Sequence, residues 1–140
     1  MKKLKIYLET TLFNLYVDES EGDDHINTVK LFEEITAGKY EAFTSKYVIE
    51  ELERASEEKR DKMLNIIAKY GITVLIEDDE VAKMADIYVK EGVIPLRFRT
   101  DGLHIAIATV YGLDAIVSMN LRHIVKWKTI LMTTYINESN

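Results

Sequence analysis

Residues 101–118 read Asp101-Gly102-Leu103-His104-Ile105-Ala106-Ile107-Ala108-Thr109-Val110-Tyr111-Gly112-Leu113-Asp114-Ala115-Ile116-Val117-Ser118. An acid opens a segment that is apolar on most sides, which predicts a buried helix over 101–111. Gly112 ends it, and Ala115 to Ser118 follows as a short apolar strand. A helix leading directly into a strand that is apolar on both faces is the repeating unit of a parallel sheet covered on both sides.

The same alternation extends outward. Leu4 to Leu8 is a strand by its residue types, and the Leu12–Val17 segment after Thr10-Thr11 starts a helix. Asp18 to Asp24 holds five acids and is expected as an exposed loop or frayed turn. Residues 25–37 are helical by period, with Ile26, Val29, Phe32 (or Leu31) and Ile35 on one side, and Gly38 is a plausible stop. A strand over Tyr40–Thr44 leads to Ser45, which caps a helix to about Ala55. A helix over about 57–69 ends at Gly71, and Ile72 to Ile76 is a strand. Asp78 or Asp79 opens a helix to about Lys90, closed by Gly92. A short helix around 121–126 and a strand near 129–133 complete the pattern. The expected fold class is α/β, three layers (α/β/α) round a central, mostly parallel sheet with right-handed crossovers. The expected organisation is a single domain over 1–135 with a short tail at 136–140.

The chain has 140 residues, 47% of them hydrophobic and 30% charged, with one proline. That composition excludes disorder over most of the length. With no cysteine, disulfides, thiolate zinc sites and Cys nucleophiles are excluded. No apolar run approaches the about 18 residues a membrane helix needs, and no apolar signal core follows the basic start, so a soluble cytoplasmic protein is expected. The net charge of −6 argues against a broad nucleic-acid-coating surface. Yet residues 97–128 carry five basic groups (Arg97, Arg99, Arg122, Lys126, Lys128) against two acids. A local phosphate-facing rim and ordinary fluctuation both account for that segment.

In open parallel α/β sheets, ligands bind beyond the carboxyl ends of the strands. Glu9 and Asn120 fall there, Asp101 opens a helix, and Glu51 lies in the helix after the Tyr40–Thr44 strand. At about 100° per residue, Val48, Ile49, Leu52 and Ala55 define an apolar face, with Glu51 on its edge and Glu50 nearly opposite. A carboxylate at a buried margin takes a partner or a metal, or its long side chain reaches out to water. Asp101 either caps its helix or serves a site. Carboxylates brought together repel, and a divalent cation relieves the repulsion. An all-oxygen set suits Mg²⁺ or Mn²⁺. His25, His104 and His123 lack zinc-like spacing, and a hydrogen-bonded packing role is expected for His104.

Four stretches carry a resemblance to PIN-domain proteins, in particular to the toxin-type PIN nucleases of toxin–antitoxin modules. They are Ile6-Tyr7-Leu8-Glu9-Thr10-Thr11-Leu12-Phe13, Thr44-Ser45-Lys46-Tyr47-Val48-Ile49-Glu50-Glu51-Leu52, the 101–118 segment, and Met119-Asn120-Leu121-Arg122-His123-Ile124. The likeness runs to about residue 128. It implies a PIN-like nuclease domain that cuts RNA with acids round one or two Mg²⁺ or Mn²⁺ ions. By resemblance the catalytic residues fall on Glu9, Glu51, Asp101 and Asn120, the first three holding metal. Ser118 and Thr10 fall where hydroxyls support those ligands. Arg97, Arg99, Arg122 and Lys126 are candidates for backbone phosphates. The resemblance further implies a single-stranded RNA substrate, 3′-hydroxyl and 5′-phosphate products, a homodimer and an antitoxin partner.

Two positions depart from the family pattern. The first acid is normally Asp and is Glu9 here, one methylene longer. The fourth is neutral Asn120, which still offers an oxygen or orients water. These departures motivate a rival, a degenerate PIN domain that binds RNA or protein without cutting. A dimerising α/β scaffold and a receiver- or haloacid-type phosphatase are further rivals. Glu9 is a poor substitute for the strand-end Asp nucleophile that such a phosphatase uses.

Overall fold

A computed structural model of the chain describes residues 3–76, 78–96 and 99–118. Arg97, Asn120, Arg122 and Lys126, the helix expected near 121–126, the strand near 129–133 and the tail 136–140 lie outside the described residues. The elements run β1 (Leu4–Leu8), α1 (Thr10–Val17), a 3₁₀ turn (Glu19–Glu21), α2 (Asp23–Thr36), β2 (Tyr40–Ser45), α3 (Lys46–Ala55), α4 (Glu57–Tyr70), β3 (Thr73–Leu75), α5 (Asp79–Lys90), α6 (Arg99–Val110) and β4 (Ala115–Val117).

The four strands form one sheet in the order β3-β2-β1-β4, and every described pairing is parallel. Tyr7 stands opposite Phe43 on one side and Ile116 on the other. Successive strands step one way from β1 to β3, and β4 then returns to the far side of β1. The architecture is α/β in three layers, the class that right-handed crossovers produce when strand order reverses in this way. Among the described residues, no helix is long and apolar enough to cross a membrane.

The described residues fall into two compact units, one running to Ile76 and resuming at Leu113, the other lying between. In the first, Ile6, Tyr7 and Leu8 of β1 are buried, as the centre of a covered parallel sheet requires. Phe32 of α2 is fully buried and joins three helices by its ring, with centroids 4.9 Å from Tyr16 of α1, 6.3 Å from Phe13 of α1 and 4.9 Å from Tyr70 of α4.

The helix starts follow local chemistry. Ser45, Ser56 and Asp78 each accept a backbone N–H in the first turn of the helix that follows, at Val48, Lys59 and Val81. Gly71 ends α4 in the left-handed conformation, φ 64°, which glycine adopts without a Cβ penalty.

Three sequence expectations are corrected. The acidic run forms an exposed turn, as expected, in the 3₁₀ turn that Asp18 caps, but Asp23 and Asp24 open α2 ahead of the helix start expected at residue 25. On α2, Thr28 shares the buried face with Phe32 and Ile35, whereas Ile26 is half exposed. Thr28 is tolerated there because its hydroxyl donates to the carbonyl of Asp24 at 2.7 Å. Helix α6 begins at Arg99, so Asp101 lies within its first turn rather than at its start.

In the second unit, α5 buries Val81, Ala85 and Tyr88. Gly102 of α6 lies close to α5: an added Cβ would meet Ile94 Cδ1 at 3.5 Å, Tyr88 Cδ2 at 3.9 Å and the Ala85 carbonyl oxygen at 4.0 Å. Small residues at this contact, Gly102 and Ala85, set how near the two helices pack. Arg99 of α6 fixes their ends by donating from Nε to Asp86 Oδ1 at 3.0 Å.

Candidate metal centre

Glu9 follows the last residue of β1 and forms the N-cap of α1. Its backbone N–H donates to the Val117 carbonyl at 3.1 Å, which extends the β1–β4 ladder by one step. The residue lies at the carboxyl edge of the sheet, where strand order reverses between β1 and its two neighbours. The side chain is 5% exposed. Its Oε2 accepts three hydrogen bonds: from the Thr11 N–H at 3.1 Å, the Thr11 hydroxyl at 2.7 Å and the Ser118 hydroxyl at 2.7 Å. Oε1 accepts none among the described residues.

Glu51 comes from the second turn of α3, which Ser45 caps at the carboxyl end of β2. It is partly buried, as its place at the edge of the apolar face requires. Its Oε2 accepts a 2.7 Å hydrogen bond from the Thr10 hydroxyl. Neighbouring acids on α3 have different company: Glu50 faces Lys46 at 3.9 Å, and Glu53 faces Arg60 at 3.3 Å. Carboxylate oxygens of Glu9 and Glu51 lie within 4.8 Å of each other. Two charges at that separation repel by roughly 3 kcal/mol at an effective dielectric of about 20. The oxygen donors and their spacing suit a hard divalent cation, which turns this repulsion into attraction.

Beneath the pair, Tyr7 and Ser45 are buried and share a 2.7 Å hydroxyl–hydroxyl hydrogen bond. The Thr44 hydroxyl donates to the Leu8 carbonyl at 2.9 Å. Burial raises the Tyr7 phenol far above its ordinary value. The Ser45 hydrogen bond opposes that shift, while the negative charges of Glu51 and Glu9 add to it. The folded protein therefore keeps the Tyr7 proton at pH values where the unfolded chain loses it. Stability from this group is complete below about pH 10 and falls above it, by about 1.4 kcal/mol per pH unit. Urea titrations at pH 9 and 11 should show this loss in the wild type and a smaller one in Tyr7→Phe. An equal loss in both would assign the alkaline sensitivity elsewhere.

The structure thus brings together Glu9, Glu51, Thr10 and Ser118 of the expected site, all within the first unit. Asp101 lies in the first turn of α6 in the second unit and is partly buried, and His104 one turn further on is 1% exposed. Arg99 is engaged with Asp86, its Nη2 lying 2.9 Å from that carboxylate. Sequence reading missed Thr11, which makes two of the three hydrogen bonds to Glu9. The available clue was an acid followed two residues later by a hydroxyl at a strand-to-helix junction, where an N-cap forms. No protein-family model matches the chain, and no curated protein matches it.

Proposed function

We propose that the protein is a Mg²⁺- or Mn²⁺-dependent endoribonuclease of the PIN type. The observation that carries this reading is the Glu9–Glu51 carboxylate pair at the carboxyl edge of a parallel sheet. The resemblance of the 101–118 segment supplies the third acid, Asp101. Glu9 and Glu51 hold the cation through oxygen, and Asp101 completes the set and orients the attacking water. A bound ion of this kind lowers the pKa of coordinated water and neutralises charge on a phosphodiester. Ser118 and Thr10 hold the two glutamates in place by the hydrogen bonds they donate to them. Asn120 orients the remaining water or ligand. Arg97, Arg99, Arg122 and Lys126 hold backbone phosphates, Arg99 exchanging Asp86 for the substrate. Water oxygen bonds to phosphorus and the P–O3′ bond breaks. The leaving O3′ takes up a proton, so the products are a 3′-hydroxyl and a 5′-phosphate.

The same reading makes the protein the toxin of a toxin–antitoxin pair, acting as a homodimer on single-stranded RNA in the cytoplasm. Calorimetric titration with Mn²⁺, on the wild type and on Asp101→Asn, tests the site. The wild type should bind, and the variant should lose affinity by more than the roughly 10–100-fold that removal of an outer partner costs. Its Mn²⁺-dependent RNA cleavage should fall in parallel while the thermal midpoint is kept. Unchanged binding and cleavage in Asp101→Asn would remove that residue from the site. No binding in either protein would turn the reading to a PIN-like module that binds RNA or protein without cutting.

A further inference from the structure

The hydrogen bonds to Glu9 are unevenly shared between its two oxygens. A carboxylate oxygen has two lone-pair directions, and three donors saturate it. Oε2 of Glu9 already accepts three, two from Thr11 and one from Ser118. A cation reaching Glu9 therefore has Oε1 to itself, and taking Oε2 as well would displace hydroxyls held at 2.7 Å. Charge-assisted hydrogen bonds of that length are among the stronger ones.

The cost of that restriction differs between cations. Ca²⁺ gathers about six to eight oxygens and commonly takes both oxygens of a carboxylate, whereas Mg²⁺ is octahedral, keeps several waters and is satisfied by single oxygens. Mn²⁺ shares the octahedral oxygen preference. We propose that Thr11 and Ser118 act as a selectivity clamp, holding Glu9 to one-oxygen coordination so that the site favours Mn²⁺ and Mg²⁺ over Ca²⁺. Thr11 is a positioning residue here, acting only through Glu9. The clamp also explains how a side chain longer than the usual aspartate serves at this position. The added rotamer freedom is removed by anchoring one oxygen to the N-terminus of α1 and to the end of β4. The inference rests on the metal reading given above.

The test is a pair of calorimetric titrations, Mn²⁺ and Ca²⁺, on the wild type, Thr11→Val, Thr11→Ser and Ser118→Ala. Valine matches threonine in shape and keeps the backbone N–H, so one donor of the three is removed. The wild type should prefer Mn²⁺. In Thr11→Val one hydroxyl fewer must be displaced to free Oε2, so the preference should move toward Ca²⁺ by about ten-fold or more, the worth of one hydrogen bond to a charged group. Thr11→Ser should restore the wild-type ratio. Ser118→Ala removes the other hydroxyl and should move the ratio in the same direction, which keeps the test open if Thr11→Val folds poorly. A general structural weakening lowers both affinities and leaves their ratio unchanged, and that result overturns the clamp. Absence of Mn²⁺ binding in the wild type overturns the metal reading itself, and the clamp with it.

Discussion

Glu9→Gln is expected to separate metal affinity from stability, lowering the first and sparing or raising the second. Gln is isosteric with Glu, and its carbonyl oxygen can take the position of Oε2 and keep the Thr11 and Ser118 donors. Its amide nitrogen then occupies the position of Oε1, and the charge that lay within 4.8 Å of the Glu51 carboxylate is gone. A repulsion of roughly 3 kcal/mol at an effective dielectric of about 20 is removed. The metal-free variant should therefore melt no lower than the metal-free wild type. Mn²⁺ affinity should fall by about 100-fold or more, because a charged oxygen ligand is lost and an N–H₂ points at the ion. Calorimetry with Mn²⁺ and scanning of the metal-free proteins give the two readouts. A clear drop in melting temperature would mean that α1 needs the full charge of Glu9 at its N-terminus. Retained affinity would remove Glu9 from the ligand set.

The second large effect is on the core. Phe32→Ala should lower the unfolding free energy by about 3–5 kcal/mol. Its ring is fully buried and packs edge-on against Tyr16, with Phe13 and Tyr70 as further ring neighbours, so its loss loosens α1, α2 and α4 together. Partial collapse is limited because Tyr16 and Tyr70 are already tied by a 2.6 Å hydroxyl–hydroxyl hydrogen bond. That bond resists the ring shifts that would fill the void, which places the cost toward the upper part of the range. Urea denaturation should show the midpoint falling at unchanged slope. A loss below about 1 kcal/mol would show that the three helices repack freely round the cavity.

The fold was legible where pattern and chemistry agree. β-Branched and apolar runs marked the strands, glycine stops followed α4 and α5, and Ser45 and Asp78 marked helix starts. The errors came where one side chain supplied a local alternative. Ile26 fits the apolar period of α2, yet Thr28 holds the buried position because its hydroxyl is satisfied by the carbonyl of its own helix. The acidic run after Val17 reads as an exposed loop or turn because its charges suit water. They equally suit helix N-termini, and that is where Asp18, Asp23 and Asp24 lie.

At the candidate site, residue types and spacing singled out Glu9 and Glu51. Position along the chain named Glu9, since an acid immediately after a buried strand falls at the carboxyl edge of a parallel sheet. Helical periodicity named Glu51 apart from Glu50. The resemblance also pointed to the hydroxyls Thr10 and Ser118, though not to what they bond. Pairing β1 between β2 and β4 decided that. It set residues 9, 51 and 118 side by side, and the cap of α1 then committed one oxygen of Glu9 to Thr11 and Ser118. Which residues carry charge and which segments alternate are local properties, determined by the chain alone. Which oxygen of a carboxylate is occupied depends on donors 2 and 109 residues away, and only the tertiary structure brings those donors to one atom.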